Sequence, residues 1–361
     1  MLNTKKTTDM EKILTIVIPT YNMQDYLHRC LNSLIVSEEQ MAQLEVLVVN
    51  DGSKDNSSAI AHEYQDKYPD TFRVIDKENG NYGSCVNRGL KEATGKYIKI
   101  LDADDSFDTQ NFNDYIKFLC VTDADLVVND YCKVDEVGHI IGKCIYKLPT
   151  LGVFNEKIRK IFNRKNFQMH GAAYRLENVL AMNYVQTEGI SYTDQEWIYT
   201  PLMNVNTVAY FDKIVYRYLI GRTGQTMSPA ALKKGVQQNQ KSILAVMRSY
   251  IESRNIPNQS VRDYLYDQAV VSLRTVYSSY LLKYKDIDLE GLREFDVQLD
   301  LIDSQLLEIA DRITIPYTSY PFVKKWHKSN ERNDSVINSL SYLYSRIIDR
   351  IKRDFSKIVC L

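Results

Sequence analysis

Several features that would assign this chain of 361 residues to a class at once are missing. No apolar stretch reaches the length of about 18 residues that a membrane-spanning helix needs. Residues 1–12 lack the apolar core of a secretory signal peptide. Basic and acidic side chains nearly balance, at 45 and 46, and no basic face interleaved with aromatic residues stands out. These absences argue against membrane-spanning, secreted and nucleic-acid-binding proteins, and they predict a cytoplasmic location.

Two phosphate-binding motifs and any close pair of cysteines are also missing. Neither the Gly-x-Gly-x-x-Gly spacing nor a Gly-x-x-x-x-Gly-Lys-Ser/Thr loop occurs, which argues against dehydrogenases and ATPases. The six cysteines include no Cys-x-x-Cys pair. We therefore expect scattered reduced thiols rather than disulfides or a thiolate metal site.

The chain does contain short apolar runs that each end in a polar loop. Residues 14–18 precede Pro19, and residues 45–49 precede Asn50. Runs without period-two alternation indicate strands buried on both faces, as in a parallel sheet. Helical spacing of apolar residues between the runs, and a second helix from Ser57 or Ser58 before a strand at 72–75, predict a βαβαβ unit. Its polar loops should lie at one edge of the sheet.

A third run, residues 97–101, ends in three acidic residues within four positions: Asp102, Asp104 and Asp105. Clustered carboxylates repel, and burial raises their pKa, so a divalent cation with oxygen ligands is their natural partner. An open α/β sheet binds its ligands at this end of its strands. A solvated acidic turn is the alternative.

Four motifs in this order resemble the family 2 inverting glycosyltransferases with a GT-A fold. They are Pro19-Thr20-Tyr21-Asn22, Asn50-Asp51-Gly52-Ser53-Lys54-Asp55, the segment 79–89, and Asp102-Ala103-Asp104-Asp105. The resemblance covers roughly residues 12–225. It implies an α/β fold with a mostly parallel central sheet flanked by helices, a nucleotide-sugar donor, and transfer of the sugar to an acceptor hydroxyl. It also implies a divalent cation, Mn²⁺ or Mg²⁺, that bridges the diphosphate.

The resemblance places the donor at the ends of these strands. Tyr21 would stack on the base, or it is an ordinary loop tyrosine. Asp51, aimed by the turn at Gly52, would accept from a uracil or guanine imide or from a ribose hydroxyl. Arg222 would bind the diphosphate bidentately, or it lies in a solvated basic turn. The donor residues are Pro19, Thr20, Tyr21, Asn22, Asp51, Asn79, Gly80, Asn87, Asp102, Ala103, Asp104 and Arg222.

The resemblance assigns the cation to Asp102 and Asp104. Asp104 is expected to be the direct ligand, and Asp102 either joins it or holds the ribose. A hard cation there would neutralise charge on the departing nucleoside diphosphate.

The catalytic base is expected in the segment Thr193-Asp194-Gln195-Glu196-Trp197, which fits the family's Glu-Asp-x-x-aromatic motif except that Thr193 stands where Glu is usual. Asp194 aligns with the base; the alternative is a carboxylate that stabilises the start of a helix. Glu196 is the second candidate. For acceptor binding the resemblance implicates His170, Thr193 and Trp197, while His170 as a structural residue and Trp197 as a core residue are the alternatives.

After Ser228 the sequence changes to helical patterning. Helices are expected at residues 241–252, 260–285, 300–312 and 335–357, so we predict a catalytic domain at 1–228 and a helical domain at 229–361. The last helix carries apolar and basic residues that suit the inner surface of the cell membrane, or it packs its apolar face on the domain. The helical tail is also a candidate surface for a homodimer.

The sequence as a whole predicts an inverting, metal-dependent glycosyltransferase. Its donor is expected to be a UDP-sugar, and its acceptor a glycan or lipid-linked hydroxyl in cell-surface polysaccharide synthesis. Two alternatives remain. A nucleotidyltransferase on a similar sheet would carry a Gly-rich basic loop after the first strand, where Pro19-Thr20-Tyr21-Asn22 stands. A catalytically silent carbohydrate-binding or assembly partner would not need Asp102, Asp104 and Asp194.

Overall fold

A computed structural model of the chain describes residues 11–222, 224, 225, 229–284, 287–315, 318–328 and 344. The described residues fall into two compact units. The first holds the residues up to Gln225 together with Ile256–Tyr264, and the second holds Thr226–Asn255 and the residues from Leu265 onward. The predicted division into domains at residues 228 and 229 stays a prediction.

The first unit is built on one mixed sheet. Its described strands are β1 Leu14–Thr20, β2 Leu44–Asn50, β3 Phe72–Asp76, β4 Tyr97–Ile100, β5 Ser106–Phe107, β6 Leu126–Val134, β7 Ile140–Cys144, β8 Leu151–Val153, β9 Ala172–Arg175 and β10 Thr207–Leu219. Their order is β3-β2-β1-β4-β9-β6-β10-β5, with β7 paired to β6 and β8 to β10. Strands β1 to β4 are parallel, as are β6 and β10, whereas β9 is antiparallel to both of its neighbours.

The apolar runs explain the first half of the sheet. Residues of β1, β2 and β4 are nearly all buried, because helices cover both faces of these strands. The predicted βαβαβ unit is confirmed, and its second helix begins at Ser57. The segment 79–89 contains the start of a further helix, at Asn81. The helices of this unit are α1 Gln24–Asn32, α2 Glu38–Ala42, α3 Ser57–Lys67, α4 Asn81–Glu92, α5 Thr109–Val121, α6 Glu156–Lys165, α7 Leu176–Leu180 and α8 Asp194–Tyr199.

The described part of the second unit is helical. Its helices are α9 Pro229–Lys234, α10 Val236–Ser253, α11 Gln259–Ser278 from Leu265 onward, α12 Glu290–Ile302, α13 Gln305–Asp311 and α14 Phe322–Lys328. The single helix predicted at 300–312 is wrong. Asp303 is extended, and its carboxylate accepts from the amide of Gln305 at 2.9 Å, so it ends α12 and precedes α13. Apart from residue 344, the helix predicted at 335–357 lies outside the described residues.

None of the helices in the described ranges combines the length and apolarity that crossing a bilayer requires.

Candidate functional site

Three parallel strands end at one edge of the sheet, and the predicted donor residues follow them. Thr20 pairs with Asn50 at the ends of β1 and β2, and the amide of Asp51 donates to the carbonyl of Thr20 at 2.8 Å. The amide of Leu101 donates to Val17 at 3.0 Å, which carries β4 beyond its last paired residue. The loops that begin at Tyr21, Asp51 and Asp102 therefore start side by side.

The loop after β1 is held by the loop after β2. The amide of Asn22 donates to Ser53 Oγ at 3.0 Å, and the amide of Lys54 donates to Asn22 Oδ1 at 2.8 Å. Asn22 has φ 52°, a left-handed conformation that asparagine tolerates well. Tyr21 projects from this rigid pair of loops with 45% of its surface exposed. Its ring is therefore accessible to a flat ligand.

Asp51 is buried, and it binds the start of α4. Its carboxylate accepts from the amides of Gly80 and Asn81 at 2.9 Å each, and from Lys77 Nζ at 2.6 Å. The side chain of Asn79 donates to the Asp51 carbonyl at 2.9 Å. A carboxylate at a helix N-terminus is favoured by the helix dipole. Asp51 thus fixes the segment 79–81 beside the strand ends.

The acidic edge, Asp102, Asp104 and Asp105, lies at the end of β4 with each carboxylate held differently. Tyr82 donates to Asp102 Oδ1 at 2.9 Å. Asp105 is buried and accepts from the Tyr216 hydroxyl and the Leu219 amide, both at 2.6 Å. Asp104 is paired with the guanidinium of Arg222, and its carbonyl accepts from Arg29 at 2.7 Å. Ala103 is buried between them.

Burial and mutual repulsion raise the pKa values of this edge. The pKa of Asp102 rises to about 7, first because the group is desolvated and then because of the charge of Asp104, while the hydrogen bond from Tyr82 lowers it. Burial, and after it the charges of Asp104 and Asp102, raise the pKa of Asp105 well above its usual value. The carboxyl groups of Asp102 and Asp105 therefore ionise less readily than exposed carboxyl groups do.

His170 lies against the acidic edge in a cage of tyrosines. Its ring is 4.5 Å from that of Tyr218, 4.6 Å from that of Tyr216 and 5.1 Å from that of Tyr131, between centroids. Burial, followed by the charge of Lys99, lowers the pKa of His170 to about 3, so its imidazole is neutral. Three potential ligand atoms lie within 4.8 Å of one another here: one imidazole nitrogen of His170, one carboxylate oxygen of Asp102 and one of Asp105.

Asp194 is the first residue of α8, and it reaches the same region. Its negative charge is among the causes, after burial and nearer charges, that raise the pKa values of Asp102 and Tyr82. Burial raises the pKa of Asp194 itself. The structure therefore brings the predicted base into the electrostatic field of the acidic edge, although Asp194 and Asp102 are 92 positions apart in the sequence.

Two residues predicted to contact the acceptor are fully buried. The hydroxyl of Thr193 accepts from Gln186 Nε2 at 2.8 Å. Trp197 has no exposed surface and packs edge-on against Tyr174, with ring centroids 5.5 Å apart. In this structure both side chains contact protein, and their predicted role in acceptor binding stays a prediction. Glu196, the second candidate base, is buried and accepts from the amide of Thr187 at 2.8 Å.

The bridging segment, residues 186–189, connects α4 to the start of α8. Both polar groups of the Asn87 side chain bind it: Nδ2 donates to Gln186 O at 2.9 Å, and Oδ1 accepts from the Gln186 amide at 2.8 Å. The Gly189 amide donates to Gly80 at 2.9 Å. A Cβ at Gly83 would lie 1.9 Å from Thr187 O, so only glycine allows this approach. Asn87 thus holds protein here, and its predicted contact with the donor stays a prediction.

Lys99, in the middle of β4, is a feature that the sequence analysis missed. It is fully buried, and its ammonium donates to the carbonyls of His170 and Ala172 at 2.8 and 3.0 Å and to Asn129 Oδ1 at 3.1 Å. Burial lowers its pKa to about 7. A lysine within an otherwise apolar run was the available signal. Lys99 fixes the turn that carries His170.

The residues of the acidic edge fit a divalent cation. They offer carboxylate oxygens, which hard cations prefer, and the pKa values of Asp102 and Asp105 are raised first by burial and then by repulsion between the carboxylates, which a bound cation would relieve. Arg222 already supplies one positive charge to Asp104. Asp102 and Asp104 are therefore suited to hold Mn²⁺ or Mg²⁺.

Sequence comparisons agree with the fold and with the resemblance. The sequence model of the family described as "Glycosyl transferase family 2" matches residues 15–177. The chain is 27% identical over 219 residues to the "Uncharacterized glycosyltransferase MG060" of Mycoplasma genitalium, covering 60% of this chain and 72% of that protein. It is 25% identical over 218 residues to the "Poly(ribitol-phosphate) beta-N-acetylglucosaminyltransferase TarS" of Staphylococcus aureus, covering 60% of this chain and 37% of TarS. This alignment thus spans little more than a third of TarS.

A solved structure of TarS shares the fold. The crystal structure of S. aureus TarS residues 1–349 superposes with a TM-score of 0.67 at 18% identity, covering 92% of this chain and 91% of that one. The predicted α/β architecture, with a mostly parallel sheet flanked by helices and a helical C-terminal region, is confirmed. Two further structures of that TarS fragment contain UDP and UDP-GlcNAc.

Proposed function

Because the chain belongs to glycosyltransferase family 2 and has a GT-A fold, we propose that it is an inverting transferase that moves a sugar from a UDP-sugar to an acceptor hydroxyl. The observation that carries this proposal is the convergence of Asp194 with the acidic edge. In this fold a nucleoside diphosphate would bind at the ends of the parallel strands, and a single displacement needs a base on the acceptor side. The effect of the Asp194 charge on Asp102, at the end of β4, supports both requirements.

We assign the donor to the rigid loops after β1 and β2. Tyr21 would cover the base, and the fixed backbone of Thr20 and Asn22 would border it. Asp51 would accept from the base imide or ribose through the lone pairs that its bonds to α4 do not use. UDP-GlcNAc is the first donor to test, because TarS structures contain it. Pro19, Asn79, Gly80 and Ala103 would line the same pocket by their backbone.

Asp194 would take the proton from the acceptor hydroxyl. Its pKa is raised by burial, which brings a carboxylate closer to the operating pH that favours a general base. The acceptor oxygen then attacks the anomeric carbon as the bond to the diphosphate breaks, which inverts the configuration. The location of Asp194 at the start of α8 keeps the carboxylate near the acidic edge.

The acidic edge would hold the cation on the diphosphate side, with Asp102 and Asp104 as its carboxylates. When bound, a divalent cation supplies Lewis-acid stabilisation of the departing nucleoside diphosphate. Arg222 would leave Asp104 and bind the diphosphate, because a guanidinium matches phosphate geometry. Tyr82 would keep the Asp102 carboxylate oriented throughout.

The acceptor is proposed to be a glycan or lipid-linked hydroxyl in cell-surface polysaccharide synthesis. Relatives named for wall polymers support this class: TarS, and the "Minor teichoic acid biosynthesis protein GgaB" of Bacillus subtilis, which is 36% identical over 104 residues. A cytoplasmic location, peripheral contact with the inner membrane surface and a homodimer are proposals that rest on the sequence. The tail invoked for the last two lies outside the described residues.

The function is tested by donor screening followed by product analysis. Purified protein with Mn²⁺ is mixed with UDP-, GDP- and CMP-sugars, and the melting temperature is measured, because a ligand of the folded state raises it. Among these donors, we expect only the UDP-sugars to raise the melting temperature. We also expect the protein to hydrolyse them slowly and so to release UDP. EDTA should abolish both effects, and Mn²⁺ or Mg²⁺ should restore them. Stabilisation without UDP release would instead favour a silent binding partner, and release of pyrophosphate would indicate a nucleotidyltransferase.

A further inference from the structure

His170 combines almost complete burial with an unsatisfied polar ring. Only 8% of its surface is exposed, and Nδ1 is buried without a hydrogen-bond partner. Within the described part of the chain neither ring nitrogen makes a hydrogen bond, while the backbone carbonyl accepts from Lys99 and from Asn129. A buried polar atom without a partner is unfavourable, so such an atom calls for an explanation.

Packing alone does not explain a histidine at this position. The ring stacks against Tyr218 and meets Tyr216 edge-on. A phenylalanine would make the same aromatic contacts without leaving a nitrogen unpaired. The imidazole therefore has a polar role that the protein by itself does not fulfil.

The nearest chemistry is the pair of carboxylates at 102 and 105. One carboxylate oxygen of Asp102, one of Asp105 and an imidazole nitrogen lie within 4.8 Å of one another. This spacing suits a shared cation after small side-chain rotations. Asp104 is paired with Arg222. Asp102 therefore belongs both to this group with Asp105 and His170 and to the pair Asp102 and Asp104.

We propose that His170 is a direct ligand of the divalent cation, together with Asp102 and Asp105. The inference rests on the proposed function, which requires the cation, and it adds Asp105 and a nitrogen ligand to Asp102, the carboxylate shared with the pair Asp102 and Asp104 considered there. The role differs from the acceptor contact that the resemblance implies for His170. Lys99 and Asn129 hold the turn 169–171, and so they hold the imidazole where the ion binds.

A nitrogen ligand makes the site selective. Mg²⁺ prefers oxygen ligands and near-ideal octahedral geometry, whereas imidazole binds first-row transition metals well. The site should therefore bind Mn²⁺ more tightly than Mg²⁺. Loss of the imidazole should reduce the affinity for Mn²⁺ more than the affinity for Mg²⁺.

Pulsed electron paramagnetic resonance of bound Mn²⁺ tests the proposal directly. The full-length protein is loaded with one equivalent of Mn²⁺, and coupling of the electron spin to a directly bound imidazole nitrogen is recorded. We expect the coupling in the unsubstituted protein and in His62→Asn, a control at an exposed histidine paired with Asp76. His170→Phe, which keeps the aromatic packing, should lose the coupling and bind Mn²⁺ about 10- to 100-fold more weakly.

The outcomes separate the two proposals. Bound Mn²⁺ without nitrogen coupling in the unsubstituted protein, or coupling retained in His170→Phe, overturns the role of His170 and leaves the proposed transferase intact. If the unsubstituted protein fails to bind Mn²⁺ both in the absence and in the presence of UDP, the role of the cation is overturned in the proposed function and in the proposal for His170. His170→Asn provides a second variant should His170→Phe fail to fold, because it must also lose the imidazole coupling.

Discussion

The guanidinium of Arg222 donates through Nε to the carboxylate of Asp104, 118 positions earlier in the chain. Both side chains are only 12% exposed, and the Arg222 guanidinium lies 5.3 Å from the ring of Tyr26. The arginine occupies a position beside Asp104 where a cation would also bind. The same residue is the proposed partner of the donor diphosphate, so the two roles compete for one side chain.

Replacing Arg222 should therefore have opposite effects on two ligands. In Arg222→Ala, Mn²⁺ alone should bind more tightly, because Asp104 is no longer paired, whereas UDP in the presence of Mn²⁺ should bind more weakly. Isothermal titration measures both affinities. Arg88→Ala, which removes an exposed pair with Glu92, is the matched control and should change neither. Weaker binding of both ligands would contradict the competition.

The role of Asp194 is tested by two substitutions. Asp194→Asn keeps the size of the side chain but cannot accept a proton, so donor binding and melting temperature should survive while turnover falls by about 10² to 10⁴ fold. Asp194→Ala should lose turnover as well. If the carboxylate only stabilised the start of α8, Asn would be nearly silent in turnover and Ala would cost about 1 kcal/mol of stability. Near-normal turnover in Asp194→Asn would direct attention to Glu196.

Cation binding should depend on pH through Asp102. The pKa of this carboxyl is raised to about 7, and a cation binds the deprotonated form, so Mn²⁺ affinity should rise as the pH increases through about 7 and then level off. Tyr82→Phe removes a hydrogen bond that lowers this pKa, so the midpoint should move to higher pH. Tyr266→Phe, at an exposed tyrosine, is the control. An unchanged midpoint in Tyr82→Phe would refute the assignment to Asp102.

The close approach of α4 to the bridging segment makes Gly83 critical. Gly83→Ala would place a methyl group 1.9 Å from Thr187 O, so the bridging segment must shift and carry the start of α8 with it. Turnover should fall by about 10² fold, as expected when a catalytic group is misplaced by about 1 Å. Gly152→Ala, where no atom lies within 4 Å of the added carbon, should behave like the unsubstituted protein in a turnover assay. Equal turnover in both variants would show that the segment does not position the base.

The sequence predicted those elements whose signal is local. Apolar runs identified β1, β2 and β4, because burial on both faces requires continuous apolar residues. The helix predicted to start at Ser57 or Ser58 begins at Ser57. The break at Asp303 was missed because its neighbours continue the helical spacing of apolar residues on both sides, and only the side-chain bond to Gln305 marks the end.

Pairings between distant residues could not be predicted. Nothing near Asn87 in the sequence indicates that both of its polar groups bind a residue 99 positions away. The partners of Lys99 on β9 and at Asn129 depend on β9 entering the sheet in the antiparallel direction, and four residues are too few to show that by periodicity. The motifs therefore identified the edge of the sheet where we propose the donor site, and tertiary structure alone shows what holds its residues in place.

The bridging segment has a consequence for hydrogen exchange. The amides of Gln186, Thr187 and Gly189 donate respectively to α4, to α8 and to the loop before α4. Exposure of all three amides to solvent requires the contacts of the bridging segment with α4, with the loop before α4 and with α8 to break together. They should therefore exchange as one cooperative unit. A nucleotide that orders the start of α4 would slow their exchange from a distance, so donor binding would reduce the mobility of α8, which carries the proposed base, before any acceptor arrives.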